Sequence, residues 1–208
     1  MNKKELAVRI SKLKKIEDLD IKLEQYNLDS EIASQILWNM HMNNDIKDKV
    51  IGDFGCGSGL LGYGCLLLGA KKVYFIDKDI KNIKITRESI AKDIVKENFK
   101  DKRAVFFNID IKDFNKKIDV VVQNPPFGTK IRKADKIFLE KALELGDKIY
   151  SLHKIESKKF IESLIKDKGF VKQIIEIKLP LRKSYRFHKR KVYYVNTGLW
   201  VIERFKKI

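Results

Sequence analysis

Residues 50–59 read Val50-Ile51-Gly52-Asp53-Phe54-Gly55-Cys56-Gly57-Ser58-Gly59. An apolar segment that runs into alternating glycines, and then into a helical stretch to about Leu68, predicts a strand, a tight turn and a helix. Glycine permits the unusual dihedral angles of such a turn and lets a ligand press against bare backbone. The stretch therefore predicts an α/β fold with a ligand-binding turn after its first strand.

Predicted strands and helices alternate outward from this turn. Residue spacing predicts strands over 73–76, 105–109, 118–122, 148–152, 170–177 and 192–205, and helices over 79–95, 134–145 and 156–167. Helical crossovers make the earlier strands parallel. Because no helical pattern separates the last two strands, we expect them to form an antiparallel hairpin.

Two amphipathic helices are predicted before the first strand. A second helix is expected after Asp29 or Ser30, and the first carries apolar residues at helical spacing, at Leu6, Ile10, Leu13 and Ile16. We predict a single domain over 1–208, made of an N-terminal helical segment (1–45) and a Rossmann-like core (46–208). The core is expected to be α/β, with a mostly parallel seven-stranded sheet, a C-terminal antiparallel hairpin and helices on both faces.

The charge of the chain favours a polyanionic partner. Of its 208 residues, 45 are Lys or Arg and 28 are Asp or Glu, which gives a formal net charge of +17. Such a field attracts nucleic acid and speeds the encounter with it. A lysine-rich surface that is merely solvated is the alternative.

Neither a membrane protein nor a disulfide scaffold is favoured. The longest apolar stretch, over 60–70, is short and contains three glycines, and the N-terminus has mixed charge rather than a signal core. Cys56 and Cys65 form no C-x-x-C pair, so neither a disulfide nor a zinc site is indicated. A cytoplasmic protein is expected.

The glycine turn allows two interpretations. Gly57, Gly59 and Gly62 satisfy G-x-G-x-x-G, the pattern of dinucleotide-binding enzymes. Asp53 followed by Gly55, Gly57 and Gly59 is instead the D-x-G-x-G-x-G turn of methyltransferases, in which the acidic residue helps to orient the loop and the methionine end of S-adenosylmethionine. The turn alone does not distinguish the two.

Two acidic residues follow the next predicted strands. Asp77 ends the second strand, where a carboxylate can accept the protons of both ribose hydroxyls. Capping the following helix is its alternative role, although Asp79 is the better candidate for that cap. Asp110 follows the third strand and is a candidate acceptor for the adenine amino group of the cofactor, with Asp113 close by.

The turn Asn124-Pro125-Pro126-Phe127 decides between these interpretations. An aromatic exocyclic amine is a poor nucleophile because its lone pair is delocalised into the ring. The side-chain oxygen of Asn124 and the carbonyl of Pro125 can each accept one amine hydrogen and direct the lone pair at a methyl donor, while Phe127 offers a face for a base. The two prolines, Pro125 and Pro126, stiffen the turn. A dinucleotide-binding enzyme would have no use for this turn, so methyltransferase chemistry is predicted.

A basic and aromatic segment precedes the last strand. Residues 182–191 contain six Lys or Arg and no acid, with Tyr185 and Phe187 among them. Cations for phosphates beside aromatic rings for bases are typical of single-stranded or looped RNA binding, whereas a solvated hairpin tip is the alternative. The predicted RNA contacts are Lys130, Lys154, Arg182, Lys183, Tyr185, Arg186, His188, Lys189 and Arg190.

Several blocks together resemble the methyltransferase-like protein 5 family. They are Leu23-Glu24-Gln25-Tyr26, residues 53–59, Asn124-Pro125-Pro126-Phe127-Gly128-Thr129-Lys130, Tyr150-Ser151-Leu152-His153-Lys154 and Tyr185-Arg186-Phe187-His188-Lys189. The resemblance implies a class I methyltransferase fold, S-adenosylmethionine as cofactor and N6-methyladenosine in small-subunit ribosomal RNA as product. It implies cofactor contacts from Gln25, Gly55, Asp77, Asp110 and Asn124. Leu28 stands where eukaryotic members have a polar contact with the cofactor, so that contact is not carried over to this chain. The Lys and Ile bias of the sequence resembles that of an archaeal member.

The resemblance also implies a protein partner. Family members pair with a small zinc-binding activator protein that adds to the edge of the sheet. In this chain we expect the exposed edge to be the apolar strand that contains Val105, Phe106 and Phe107.

Three other functions compete with RNA adenine methylation. Methylation of a protein glutamine at N5 uses the same amide-acceptor logic, but usually with Tyr after Pro-Pro. Methylation of guanine N2 in ribosomal RNA uses a similar turn. A non-catalytic RNA-binding assembly factor on the same fold is the third alternative, although Asp53, Asp77 and Asn124 are all present.

Overall fold

The computed structural model describes residues 1–17, 26–96, 102–127, 134–182 and 192–205. Some of the predicted site residues lie outside these ranges, namely Gln25, Lys130, Lys183, Tyr185, Arg186, His188, Lys189 and Arg190. For Arg182 the structure describes the strand that it ends and not its side chain.

The described residues form a seven-stranded sheet. Its strands are β1 (Val50–Phe54), β2 (Lys72–Asp77), β3 (Ala104–Asn108), β4 (Ile118–Gln123), β5 (Gly146–Lys154), β6 (Gly169–Arg182) and β7 (Val192–Arg204). The helices are α1 (Lys3–Ile10), α2 (Ser30–Met42), α3 (Leu60–Leu67), α4 (Ile80–Lys96), α5 (Ala134–Leu145) and α6 (Lys158–Ile165). The strand order is β3-β2-β1-β4-β5-β7-β6. Strands β1 to β5 pair in parallel and β7 is antiparallel to β5 and β6, which confirms the predicted fold.

Helices cover both faces of the sheet. Helices α1 to α4 pack on one face, where Leu6, Leu37 and Phe75 belong to one buried cluster. Helices α5 and α6 pack on the other face, where Leu139 and Trp200 belong to a second cluster. Among the helices of the described ranges, none combines the length and the hydropathy that crossing a lipid bilayer requires.

The structure differs from the sequence prediction in two connections. The link from β3 to β4 contains only a short 3₁₀ turn, Ile111–Asp113, so helices and strands do not alternate strictly. Helix α1 ends at Ile10, although Ile16 beyond it is buried. The side chain of Asn27 accepts a hydrogen bond from the Ile16 N–H (3.0 Å) and donates one to its carbonyl (2.8 Å). This clamp satisfies the backbone without a helix, because helical spacing of apolar residues reports burial and does not by itself require a helix.

Strands β6 and β7 continue past the rest of the sheet. Strand β5 pairs with β7 as far as Lys154 and Thr197, and β6 and β7 then pair from Lys178 and Asn196 to Arg182 and Val192. Five further residue pairs make a ribbon about 17 Å long. Because Lys154 ends the parallel strand β5, this ribbon projects from the edge at which the parallel strands have their carboxyl ends.

Candidate active site

A pocket of about 240 Å³ lies at the carboxyl ends of the parallel strands. This is the position at which open α/β sheets bind ligands. Of the residues predicted to form the site, the pocket is lined by Asp53, Gly55, Gly57, Asp77, Asp110, Asn124 and Pro126. Its apolar walls include Leu61 and Ile111 from the core and Phe138 from α5.

The glycine turn after β1 needs its glycines for different reasons. Gly55, Gly57 and Gly59 all have left-handed φ angles, of 65°, 53° and 77°. Gly55 and Gly57 line the pocket, whereas Gly59 packs behind the turn, where a Cβ atom would lie 2.3 Å from the Thr86 Cγ2 atom. The Thr86 hydroxyl donates to the Gly57 carbonyl over 2.7 Å. Helix α4 therefore fixes the turn from behind.

Asp53 is a buried carboxyl at the penultimate position of β1. Its side chain is 2% exposed and accepts a hydrogen bond from the Gly62 N–H over 2.8 Å. A Cβ atom at Gly62 would lie 2.8 Å from the same carboxyl oxygen, so this approach requires glycine. Burial raises the pKa of Asp53 to about 8, the Gly62 N–H opposes the rise, and the charge of Asp77 adds to it.

Asp77 connects three segments at the end of β2. It accepts hydrogen bonds from the N–H groups of Gly57 and Asp79, each over 2.9 Å, and from the Asn82 side chain over 3.2 Å. Burial raises the pKa of the Asp77 carboxyl. A carboxylate has about four acceptor positions, so Asp77 can hold the turn and still accept from a ribose hydroxyl. Asp79 accepts from the Lys81 N–H at the start of α4, as expected of a cap.

Asp110 lies in the connection that follows β3. Its side chain accepts from the Lys112 N–H over 3.0 Å and so caps the 3₁₀ turn Ile111–Asp113. Asp110 lines the pocket and Asp113 does not belong to its lining. The structure thus brings Asp110, rather than Asp113, to the pocket.

The turn that follows β4 meets the N-terminal segment at the pocket. Asn124 and Pro126 line the pocket, while Pro125 is buried. The Tyr26 hydroxyl donates a hydrogen bond to Asn124 Oδ1. The Tyr26 ring stacks on Phe127 with 5.8 Å between ring centroids and 25° between planes. Sequence reasoning gave Tyr26 no role, because its 98-residue separation from Asn124 leaves no local pattern.

A buried polar row lies next to Asn124 in the sheet. The Gln123 amide donates to Ser151 Oγ over 2.9 Å, and Ser151 Oγ lies 2.7 Å from His153 Nε2. Burial lowers the pKa of His153 to about 4, so the imidazole is neutral at pH 7. These three residues connect the end of β5 to the end of β4, which Asn124 follows. The predicted RNA contact Lys154 follows them and pairs with Glu156 over 3.2 Å.

The chain is similar to known methyltransferases over most of its length. Residues 26–146 match the family model described as the methyltransferase small domain. The chain is 35% identical to an uncharacterized protein of Methanocaldococcus jannaschii, over 98% of this chain and 95% of the relative. It is 33% identical to the rRNA N(6)-adenosine-methyltransferase METTL5 of Danio rerio, over 92% of this chain and 93% of the relative. A crystal structure of a Pyrococcus horikoshii protein, named as a candidate RNA methyltransferase, matches with a TM-score of 0.89 and 33% identity over 98% of both chains.

These matches include both the strand-end pocket and the turn after β4. The similarity extends over nearly the whole of each chain and is not limited to a glycine motif. The chain therefore belongs to the methyltransferase small domain family and, within it, to the family of the METTL5 rRNA N(6)-adenosine-methyltransferases.

Proposed function

We propose that this protein transfers a methyl group from S-adenosylmethionine to N6 of an adenosine in small-subunit ribosomal RNA. The observation that carries the proposal is the position of Asn124, whose amide lies at the carboxyl end of β4 and lines the pocket that holds Asp53 and Asp77. Relatives from Danio rerio, Drosophila melanogaster and Caenorhabditis elegans are named as rRNA N(6)-adenosine-methyltransferases.

The residues of the pocket fit S-adenosylmethionine. The bare backbone of Gly55 and Gly57 can lie against the methionine end, and Asp53 can balance its positive charge. Asp77 would accept from a ribose hydroxyl at its remaining acceptor position, and Asp110 would accept from the adenine amino group. Gly59 would support the cradle through its contact with Thr86. The bound cofactor supplies an electrophilic methyl group on a sulfonium, and the neutral thioether that remains is a good leaving group.

The turn after β4 prepares the amine. Asn124 Oδ1 and the Pro125 carbonyl would accept the two N6 hydrogens, which turns the nitrogen lone pair out of conjugation with the ring. Phe127 would stack on the base, and Pro126 would keep the turn rigid. The product ammonium is acidic, so its proton can pass to water without a strong protein base. Positioning therefore supplies most of the rate in this mechanism.

Cofactor binding should be linked to proton release at Asp53. The free protein holds this carboxyl largely protonated at pH 7, because its pKa is raised to about 8. A cationic ligand favours the ionised form, so the association constant should rise with pH by up to about tenfold per unit and level off above pH 8. Calorimetry in two buffers of different ionisation enthalpy measures the released proton. Asp53→Asn should bind less tightly and abolish the dependence; an unchanged slope in that variant would contradict the assignment.

The same group affects stability in a defined direction. The raised pKa means that folded Asp53 binds a proton that unfolded Asp53 has lost between about pH 4 and pH 8. Its contribution to the free energy of unfolding is present below pH 4 and is lost as the pH rises through 8. Bound cofactor should offset this loss.

We propose that RNA binds to the ribbon of β6 and β7 and to the basic residues of the sequence between these strands, 183–191. The ribbon projects from the same edge of the sheet as the pocket, and Lys154 lies where it leaves the sheet. Besides Lys154, the proposed RNA contacts are Arg182, Lys183, Tyr185, Arg186, His188, Lys189 and Arg190. Lys130, which follows the Asn124 turn in the sequence, is a further proposed contact.

The salt dependence of RNA binding tests this assignment. Arg186→Ala and Lys189→Ala should each weaken binding and reduce the slope of log K against log salt by about 0.7, because each removes one phosphate contact. Filter binding or fluorescence anisotropy over a salt series measures the slope. Lys3→Ala, on α1, is the matched control and should leave it unchanged. Equal slopes in all variants would contradict the assignment of RNA binding to residues 183–191.

We also propose that a small zinc-binding activator protein docks at the β3 edge. Within the described residues β3 pairs with β2 alone, so its outer backbone groups are available to an added strand. Phe106 stacks on Phe75 with 5.0 Å between centroids, and Phe107 meets Tyr74 and Phe114 edge-on. The apolar side chains of β3 therefore pack against the two faces of the sheet. A partner would cover the backbone edge of β3. A fully active, monodisperse chain purified alone would count against this proposal.

Identification of the methylated nucleoside tests the proposed function. The protein is incubated with labelled S-adenosylmethionine and ribosomal RNA, and the RNA is digested to nucleosides. Label on N6-methyladenosine is expected. Label on guanosine or on protein would support the N2-guanine or N5-glutamine alternatives, and cofactor that fails to bind in calorimetry would favour a non-catalytic assembly factor.

We also propose a cytoplasmic location, because both cysteines are free and a reducing compartment keeps thiols in that state.

A further inference from the structure

Tyr26 makes two contacts with the reactive turn at once. Its hydroxyl donates to Asn124 Oδ1, the oxygen that the proposed mechanism uses, and its ring stacks on Phe127. It also lines the pocket. A tyrosine that touches both the amide acceptor and the aromatic platform can set the orientation of each.

The backbone beside Tyr26 is anchored. The next residue, Asn27, clamps Ile16 through a hydrogen bond to each of its backbone groups. Ile16 in turn lies beside the glycine turn, since a Cβ atom at Gly57 would be 3.6 Å from its Cδ1 atom. Leu28 packs on the buried cluster below α1 to α4. Tyr26 therefore approaches Asn124 from a fixed scaffold that also contacts the glycine turn.

The hydrogen bond from Tyr26 can determine the orientation of the Asn124 amide. The amide of Asn124 can present either its oxygen or its NH₂ group to an incoming amine, and only the oxygen can accept an N6 hydrogen. An amide oxygen has two lone pairs, so one can accept from Tyr26 while the other accepts from the substrate. The phenolic proton thus selects the productive orientation before the base arrives.

We propose that Tyr26 is a positioning residue for methyl transfer, which holds the Asn124 amide with its oxygen toward the acceptor amine. This inference rests on the proposed function only in that the acceptor is a planar amine. It requires neither adenine rather than guanine nor a particular RNA.

Removal of the hydroxyl alone tests the proposal. Tyr26→Phe keeps the ring on Phe127 and should lower kcat about tenfold, the worth of one oriented hydrogen bond. The KM for RNA, the Kd for S-adenosylmethionine by calorimetry and the Tm should each stay within about twofold or a few degrees of the parent. Tyr150→Phe is the matched control: its hydroxyl contacts Asp45 and Asn43 instead of the pocket, so its loss should lower Tm and leave kcat.

A double-mutant cycle separates positioning from a general loss. In an Asn124→Ala background, Tyr26→Phe should have no further effect on kcat, because the amide it positions is gone. Independent, multiplicative losses would overturn the proposal, as would an unchanged or raised kcat in Tyr26→Phe, which would mean that the hydroxyl only blocks the acceptor. If the nucleoside analysis finds methylguanosine, the proposed substrate fails while the kcat of these variants still decides the role of Tyr26.

Discussion

The variant Asn124→Ala should lose roughly 10²–10³-fold in kcat, the usual effect of removing one preorganised hydrogen-bonding group from a reacting centre. The alanine leaves the lone pair of the acceptor amine conjugated with its ring, since one of the two proposed hydrogen acceptors is gone. Single-turnover methylation of ribosomal RNA with excess enzyme measures this step directly. Because Asn124 is only one of many residues that line the pocket, the Kd for S-adenosylmethionine should change far less than kcat.

A matched substitution controls for the loss of an amide as such. Asn39 lies on α2, where its side chain accepts from Asn43. Asn39→Ala should retain full activity. Residual activity above about a third of the parent in Asn124→Ala would remove this amide from the mechanism. A loss of cofactor binding that matched the loss of rate would instead assign Asn124 to the cofactor site alone.

The second large effect is expected at Gly59. Its φ of 77° lies in the left-handed region, and a Cβ atom would lie 2.3 Å from Thr86 Cγ2. Gly59→Ala should therefore lower the free energy of unfolding by about 2–4 kcal/mol, from backbone strain plus overpacking. Gly57→Ala has the same backbone strain but its nearest atom lies 3.6 Å away, so it should cost only about 1 kcal/mol. Urea unfolding measures both.

A second substitution should rescue part of the loss at Gly59. Thr86→Ser removes the Cγ2 atom but keeps the hydroxyl that donates to the Gly57 carbonyl. The double variant Gly59→Ala/Thr86→Ser should recover the overpacking cost, about 1–3 kcal/mol, and retain the backbone strain. If Thr86→Ser gave no recovery, the close approach of α4 to the turn would not be the cause of the instability.

The fold was predictable because its elements have strong local patterns. Helix α5 begins and ends at the residues that periodicity predicts, and the absence of a helix between β6 and β7 correctly predicts their antiparallel pairing. The extension of β6 to Arg182 was not predicted, since its last residues pair only with β7 beyond the sheet. Helical spacing also extended α1 too far, because Ile16 is buried in a segment beyond the helix, where its backbone bonds to the Asn27 side chain.

The candidate site was predictable where strand ends define it. Asp53, Asp77 and Asn124 each end or follow a parallel strand, and such ends meet at one edge of a sheet. Residues that reach the site from elsewhere had no such signal. Tyr26 precedes the first strand, and Asn82 is an ordinary polar position in the first turn of α4 until its bond to Asp77 is seen.

The clamp between Asn27 and Ile16 changes where the working unit of this enzyme begins. The sheet begins at β1, so a description of the protein by its strands alone would leave out the residues before it. Judged by its pocket, those residues supply a wall: Ile16, Tyr26, Asn27 and Leu28 all line the cavity. Removing the residues before β1 would uncover the buried cluster that contains Leu6 and Leu37, and it would also remove one side of the chamber in which the reaction takes place.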